Sequence, residues 1–135
     1  MESLLPIVIV LALASAYGFW HRRTRGKIVV KSDKGLITAQ MAGGALGSRA
    51  TLLQFSSAFC GPCRATRLLI EDVTANMADV AHIEVDAESR LELVRQLDIR
   101  STPTTLFLDS AGREVGRAVG APKRDQVIKA VSAIA

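Results

Sequence analysis

Ala50-Thr51-Leu52-Leu53-Gln54-Phe55-Ser56-Ser57-Ala58-Phe59-Cys60-Gly61-Pro62-Cys63-Arg64 runs from an apolar strand through a dithiol into a helix. Ala50 to Ser56 has the length and the mostly apolar character of a buried central strand. The spacing after it predicts a helix from about Pro62 to Met77, with the proline in the first turn, where its missing N–H is harmless. Cys60 and Cys63 are the only two cysteines in the chain, two residues apart. A disulfide between them closes too small a loop to stabilise a fold much. The spacing instead suits a bond that opens and closes on one helical turn, which is redox chemistry.

Outward from that stretch the punctuation continues. Ala65, Leu68, Leu69, Asp72, Val73, Asn76 and Met77 recur at helical spacing, with the apolar members assigned to one face. Ala81 to Asp86 alternates as a strand with one drier face. Leu91, Val94 and Leu97 mark a short helix, and Thr104 to Leu108 is another strand. Asp109-Ser110-Ala111-Gly112 turns the chain into a strand over Arg113–Val119. Val127, Ile128, Val131 and Ile134 share one face of a helix over Lys123–Ile134. The order is strand, helix, strand, helix, strand, strand, helix. Crossover helices call for parallel pairing of the first strands, and the short turn makes the last two antiparallel. The fold class is α/β, a mixed central sheet flanked by helices.

The N-terminal part is different. Leu4 to Trp20 is an uncharged run of 17 residues, at the short end for a bilayer-spanning helix. Tyr17 and Trp20 stand where interfacial aromatics belong, followed by His21-Arg22-Arg23 at headgroup depth. Ala14-Ser15-Ala16 matches a signal-peptide cleavage pattern, but Met1-Glu2-Ser3 lacks the positive charge such a peptide needs. Residues 1–22 are therefore expected to be a retained single-pass membrane anchor with a basic flank. Residues 23–48 read as a juxtamembrane linker with room for a first strand or helix, and 49–135 as the folded domain. Within the linker, Ile28-Val29-Val30 alternates weakly, Ser32-Asp33-Lys34-Gly35 is turn-like, and Leu36 to Met41 is either a helical turn or a short strand. Ala42 to Ser48 reads as a loop.

Charge fixes an orientation. The net charge is +4, and Arg22, Arg23, Arg25 and Lys27 account for it. From Arg49 to Ala135 there are 11 basic and 11 acidic residues, so no basic face points to nucleic acid. With its cations on the C-terminal flank only, the anchor places the domain in the cytoplasm. An extracytoplasmic domain is the alternative.

Cys60 precedes a helix whose free N–H groups and dipole favour thiolate over thiol. Arg64 and Arg67 add positive potential, and Cys63 lies one turn deeper. Cys60 is thus the attacking nucleophile and Cys63 the resolving thiol. Gly61 allows close approach of a partner, and Pro62 sets the helix start. Zinc wants four ligands, and only His21 and His82 could join the two cysteines. No metal and no cofactor is expected. A copper-carrying dithiol does not usually sit between strand and helix. His82 reads as a half-exposed strand residue. Pro103, in Ser101-Thr102-Pro103-Thr104, precedes a strand at a sharp turn and is a candidate for a cis peptide bond.

With Cys60-Gly61-Pro62-Cys63 after an apolar strand, Val85-Asp86, Ile99-Arg100-Ser101-Thr102-Pro103-Thr104 and Val119-Gly120-Ala121, residues 49–135 resemble the thioredoxin family. The resemblance implies the thioredoxin fold, here behind an N-terminal transmembrane helix. It implies a nucleophilic Cys60, a resolving Cys63, and a cis Pro103 that, with Thr102, Phe59, Gly61 and Pro62, helps dock substrate. Pro103-Thr104-Thr105 and Asp109-Ser110-Ala111-Gly112 are also similar to bacterial membrane-tethered members, including the cytochrome-maturation type. Two departures stand out. Phe59 replaces the family's tryptophan, and its buried aspartate and neighbouring lysine fall on Gln54 and His82. Since an amide is no general base, exchange is expected to be slower than in a soluble thioredoxin.

The function expected is a membrane-tethered thiol–disulfide oxidoreductase that reduces protein disulfides. Its partners would be disulfide-containing clients, some at the membrane, and an upstream electron donor such as a thioredoxin reductase or a membrane thiol carrier. One alternative is an extracytoplasmic reductase or isomerase in cytochrome c maturation or disulfide handling. Another is a redox-inactive thioredoxin-like binding module.

Overall fold

The computed structural model describes residues 4–24, 28–29 and 35–134. In chain order the elements are α1 (Leu5–Thr24), β1 (Ile28–Val29), α2 (Ala39–Ala42), β2 (Ala50–Ser56), α3 (Gly61–Thr74) and β3 (Val80–Asp86). They continue as α4 (Leu91–Gln96), β4 (Thr104–Asp109), β5 (Glu114–Val119) and α5 (Arg124–Ser132). Val30, the turn at Ser32-Asp33-Lys34, the cations Arg25 and Lys27, and Met1-Glu2-Ser3 lie outside the described residues.

β2 is an inner strand, paired on both edges, and all seven of its residues are buried. The sheet runs β1-β5-β4-β2-β3, with β2 parallel to β3 and antiparallel to β4. Alternation divides its side chains between two cores. Leu52 faces Phe107 and Ala118 on the side covered by Ile70 and Val73 of α3 and Val127 and Val131 of α5. Leu53 and Phe55 face Leu106, Leu108 and Val85 on the other, covered by Ile37, Ala42 and the α4 residues. Each such large apolar side chain stabilises the fold by about 1.5–3 kcal/mol on full burial.

Several sequence expectations need correction. α3 ends at Thr74, three residues before Met77. Thr74 Oγ1 donates to the Ile70 carbonyl at 2.8 Å, and the Met77 N–H turns back to the Thr74 carbonyl at 2.9 Å. The buried stripe of α3 is Cys63, Thr66, Ile70 and Val73, whereas Ala65 and Leu68 are exposed. A polar threonine inside that stripe hid it. In α4 the buried residue is Leu93, and Leu91 points outward.

The connection from β3 to β4 also differs from a crossover. Asp86 pairs beside Ser56, and Thr104 pairs beside Phe55, so the connection leaves and re-enters at the same end of the sheet. β4 therefore runs antiparallel to β2 although a helix lies in between. At the β4–β5 turn, Asp109 Oδ1 accepts from the backbone N–H groups of Ala111 and Arg113 at 3.0 and 2.9 Å. Gly112 adopts φ +86°, and a Cβ there would sit 2.1 Å from the Ile37 carbonyl oxygen, so only glycine fits.

Leu36 to Met41 uses both alternatives left open for it, and its helical turn extends to Ala42, which the sequence assigns to the following loop. Leu36 bridges to Arg113, and Thr38 then caps α2, its Oγ1 accepting from the Met41 N–H at 3.2 Å. β1 pairs antiparallel with β5 at the sheet edge. α1 continues past Trp20 through His21, Arg22 and Arg23, and the guanidinium of Arg23 stacks 4.9 Å from the Phe19 ring centre. Among the described residues one helix, over Leu5–Arg23, is long and apolar enough to cross a membrane.

Candidate active site

β2 delivers the chain to the site, and three residues separate its end from Cys60. The Ser56 carbonyl accepts from the Ala87 N–H at 2.8 Å, which fixes the strand end against the start of the β3–α4 connection. Phe59 then takes φ +60°, an outlier for a bulky residue, and its ring is fully exposed. That turn throws Cys60 to the N-cap of α3.

At the cap, Cys60 Sγ accepts from the Cys63 N–H at 3.2 Å, in the place usually held by a serine or aspartate oxygen. The sulfur therefore meets both a backbone donor and the positive end of the helix dipole. Cys60 and Cys63 are joined as a disulfide, with their Cα atoms 5.2 Å apart. The two differ in access. Cys60 is half-exposed, while Cys63 is only 4% exposed, so a large substrate reaches Cys60 first.

Phe59, Cys60, Gly61 and Cys63 line one shallow cleft of about 420 Å³ with Ser56, Ser57, Arg64, Arg67 and Glu84. Arg64 is exposed, and Arg67 Nη1 lies 3.8 Å from Glu84 Oε1. Pro62, Thr102 and Pro103 do not line that cleft. The Thr102–Pro103 peptide is cis, the state expected from its place in the sequence. Its loop is held against the dithiol loop by the hydrogen bond between the Ser57 and Thr102 hydroxyls at 2.9 Å. The Gly120 N–H donates to the Pro103 carbonyl at 2.8 Å, and Thr104 Oγ1 donates to that of Ser101 at 2.7 Å. Among the described residues no group of three or more His, Cys, Asp or Glu is placed to hold a metal ion.

Behind the dithiol lie Gln54 and His82, the two positions that the resemblance makes neighbours. Gln54 is completely buried. Its Nε2 donates to the Cys63 carbonyl at 2.9 Å and to Ser56 Oγ at 3.1 Å. Its Oε1 lies 3.0 Å from His82 Nε2. Burial is the main cause holding the His82 imidazole below its ordinary proton affinity, with Glu71 opposing and Arg67 adding to the effect. The resemblance pairs the two positions, but the bonds to each other and to the Cys63 carbonyl come from the structure. With Leu52 paired to His82, Gln54 and His82 fall on the same sheet face, two residues apart in register, and that register is not written in either strand alone.

Comparison with known proteins gives one family. Residues 44–133 match the thioredoxin family model. Thioredoxin H2-1 of Oryza sativa subsp. japonica is 31% identical over 87 residues, covering 64% of this chain and 62% of that protein. The thioredoxin of Chlamydia trachomatis serovar D is 33% identical over 87 residues, covering 64% and 84%. Spinach chloroplast thioredoxin f (short form) superposes with a TM-score of 0.57 at 30% identity, covering 64% of this chain and 77% of that one. The chain spans about three-fifths of the length of the first rice relatives it matches. A match running from the loop before β2 into α5 covers most of the sequence, and on it this chain belongs to the thioredoxin family.

Proposed function

We propose that the protein is a membrane-tethered thiol–disulfide oxidoreductase that reduces protein disulfides. The observation that carries this is the asymmetry of the pair. Cys60 is accessible and takes an N–H at a helix N-terminus, while Cys63 is buried one turn below it.

In the reduced protein the Cys60 thiolate attacks one sulfur of a client disulfide. That S–S bond breaks, the second client sulfur leaves as a thiolate, and Cys60 is joined to the client. Cys63 then loses its proton and attacks Cys60 Sγ. The mixed disulfide breaks, the second client thiolate leaves, and the Cys60–Cys63 bond forms. The client gains two electrons and two protons overall, and the dithiol loses them. An upstream donor, a thioredoxin reductase or a membrane thiol carrier, must reduce Cys60–Cys63 again.

Phe59, Gly61, Pro62, Thr102 and Pro103 form the docking rim in this proposal. Its support is the fully exposed Phe59 ring and the hydroxyl bond that holds the 102–103 loop beside the dithiol loop. α1 is the anchor, supported by its apolar length and by the cations at its C-terminal end, which favour a cytoplasmic domain.

Cys63→Ser is expected to trap clients on Cys60 as mixed disulfides, and Cys60→Ser to abolish insulin-disulfide reduction. Turnover that survives Cys60→Ser would overturn the proposal. In intact cells, a membrane-impermeant thiol reagent should leave Cys60 unlabelled; efficient labelling would place the domain outside.

A further inference from the structure

We propose that His82 is a positioning residue for the resolving step, acting on Cys63 through the side-chain amide of Gln54. The inference rests on the assignment of Cys63 as the resolving thiol.

The hydrogen bonds determine their own direction. A backbone carbonyl only accepts, so the Gln54 atom 2.9 Å from the Cys63 carbonyl oxygen is the amide nitrogen. The Oε1 atom must then face His82, and at 3.0 Å it accepts from His82 Nε2–H. Neutral imidazole carries that proton in only one tautomer, and imidazolium carries it always. The bond therefore persists whichever way the ring titrates. Glu71 and Arg67 on α3 act on the charge of His82, and Glu84 stands on the same face of β3.

Three partners hold the Gln54 amide: the Cys63 carbonyl, Ser56 Oγ and His82. Gln54 lies on the central strand and Cys63 in the first turn of α3, so this amide ties that turn to the sheet. Without His82, the buried Oε1 loses its donor. The amide is then held only on its nitrogen side, by the Cys63 carbonyl and Ser56 Oγ, and its oxygen no longer fixes the plane of the group. The first turn of α3 loosens at the residue whose sulfur must next attack Cys60 in line. Attack by Cys60 on the client needs no line-up of Cys63 Sγ with the bond being broken. Resolution does.

The test uses the full reduced chain in detergent and a fluorescently labelled peptide disulfide, with both phases followed by stopped flow. His82→Leu should slow the second phase, release from the mixed disulfide, by about tenfold or more, since a reacting group misplaced by about 1 Å can lose about 10²-fold. The first phase should stay within about twofold. His82→Gln, which keeps a donor at the same reach without a titrating ring, should restore the second phase to within about threefold of the original. A folded His82→Leu protein with an unchanged second phase, or with both phases slowed equally, overturns the proposal.

Nitrogen-15 spectra of the unsubstituted protein give a second reading that needs no variant. The Nε2–H tautomer of His82 supports the proposal, and the Nδ1–H tautomer overturns it. Failure of the Cys63 assignment looks different, since Cys63→Ser would then trap no mixed disulfide at all.

Discussion

At the residue scale, putting an acid in place of the amide behind Cys63 has two opposing effects. Gln54→Asp supplies a base, and general bases contribute about 10²–10⁴ in rate. The shorter carboxylate also removes the donor from the Cys63 carbonyl, and a misplacement of about 1 Å costs up to about 10²-fold. The first effect reaches the larger values, so insulin reduction per folded molecule should rise. Stability should fall by about 1–3 kcal/mol for the buried groups left unpaired, read from urea unfolding. No rise in rate would show that proton transfer from Cys63 does not limit exchange. His82 makes a separate prediction. Burial lowers its proton affinity in the folded chain, so the unfolded chain binds the proton first as pH falls. Its contribution is fully favourable above the ordinary imidazole value of 6.5 and is lost as pH drops from there toward the lowered value. Tm should therefore decline on acidification, and His82→Gln should remove that part of the decline. The cysteines, Gly61, Pro62 and the cis Pro103 were legible because their chemistry is local. Gln54 and His82 were legible as neighbours through the resemblance, but their hydrogen bonds were not, since these exist only once two strands are in register.

Among elements, the same division between local and non-local information holds. β2 was legible in full because a strand buried on both faces is apolar on both. The face of α3 was misassigned because Thr66 occupies the buried stripe and Leu68 leaves it. The direction of β4 was misassigned because a helix in the connection suggested a crossover. What holds that connection in place is Arg117 of β5. Its guanidinium donates to Glu114 at 2.5 and 2.8 Å and to the Leu97 carbonyl at 3.0 Å, just after α4. Arg117 and Glu114 are each only 6% exposed at the side chain. Removing one member of a buried pair strands the other charge, so Arg117→Ala should cost about 3–5 kcal/mol in urea unfolding. Replacing both, as Arg117→Met with Glu114→Leu, should cost much less, because no charge is then left behind. Equal losses in the two variants would place the value of Arg117 in its carbonyl contacts instead.

For the molecule as a whole, the question is whether the apolar helix contributes to the folded domain or only locates it. The large apolar side chains of α1 are all exposed, between 50% and 68%, and the helix adds nothing to either core. Helices of globular proteins bury an apolar face, whereas α1 is apolar all round, which suits lipid rather than a protein partner. The first core contacts in chain order come from Ile28, Ile37 and Ala42, all beyond α1. Deleting residues 1–24 should therefore leave the unfolding free energy unchanged to within about 0.5 kcal/mol, the range of changes that touch no buried feature. It should also leave insulin-disulfide reduction in solution at the full-chain rate, because Cys60, Cys63 and the 102–103 loop keep every contact described for them. Cell fractionation should change completely: the full chain stays with the membrane through alkaline carbonate extraction, and the truncated chain appears in the soluble fraction. A full chain that is itself released by carbonate, or a truncated chain that unfolds, would show that α1 packs on protein and is no anchor.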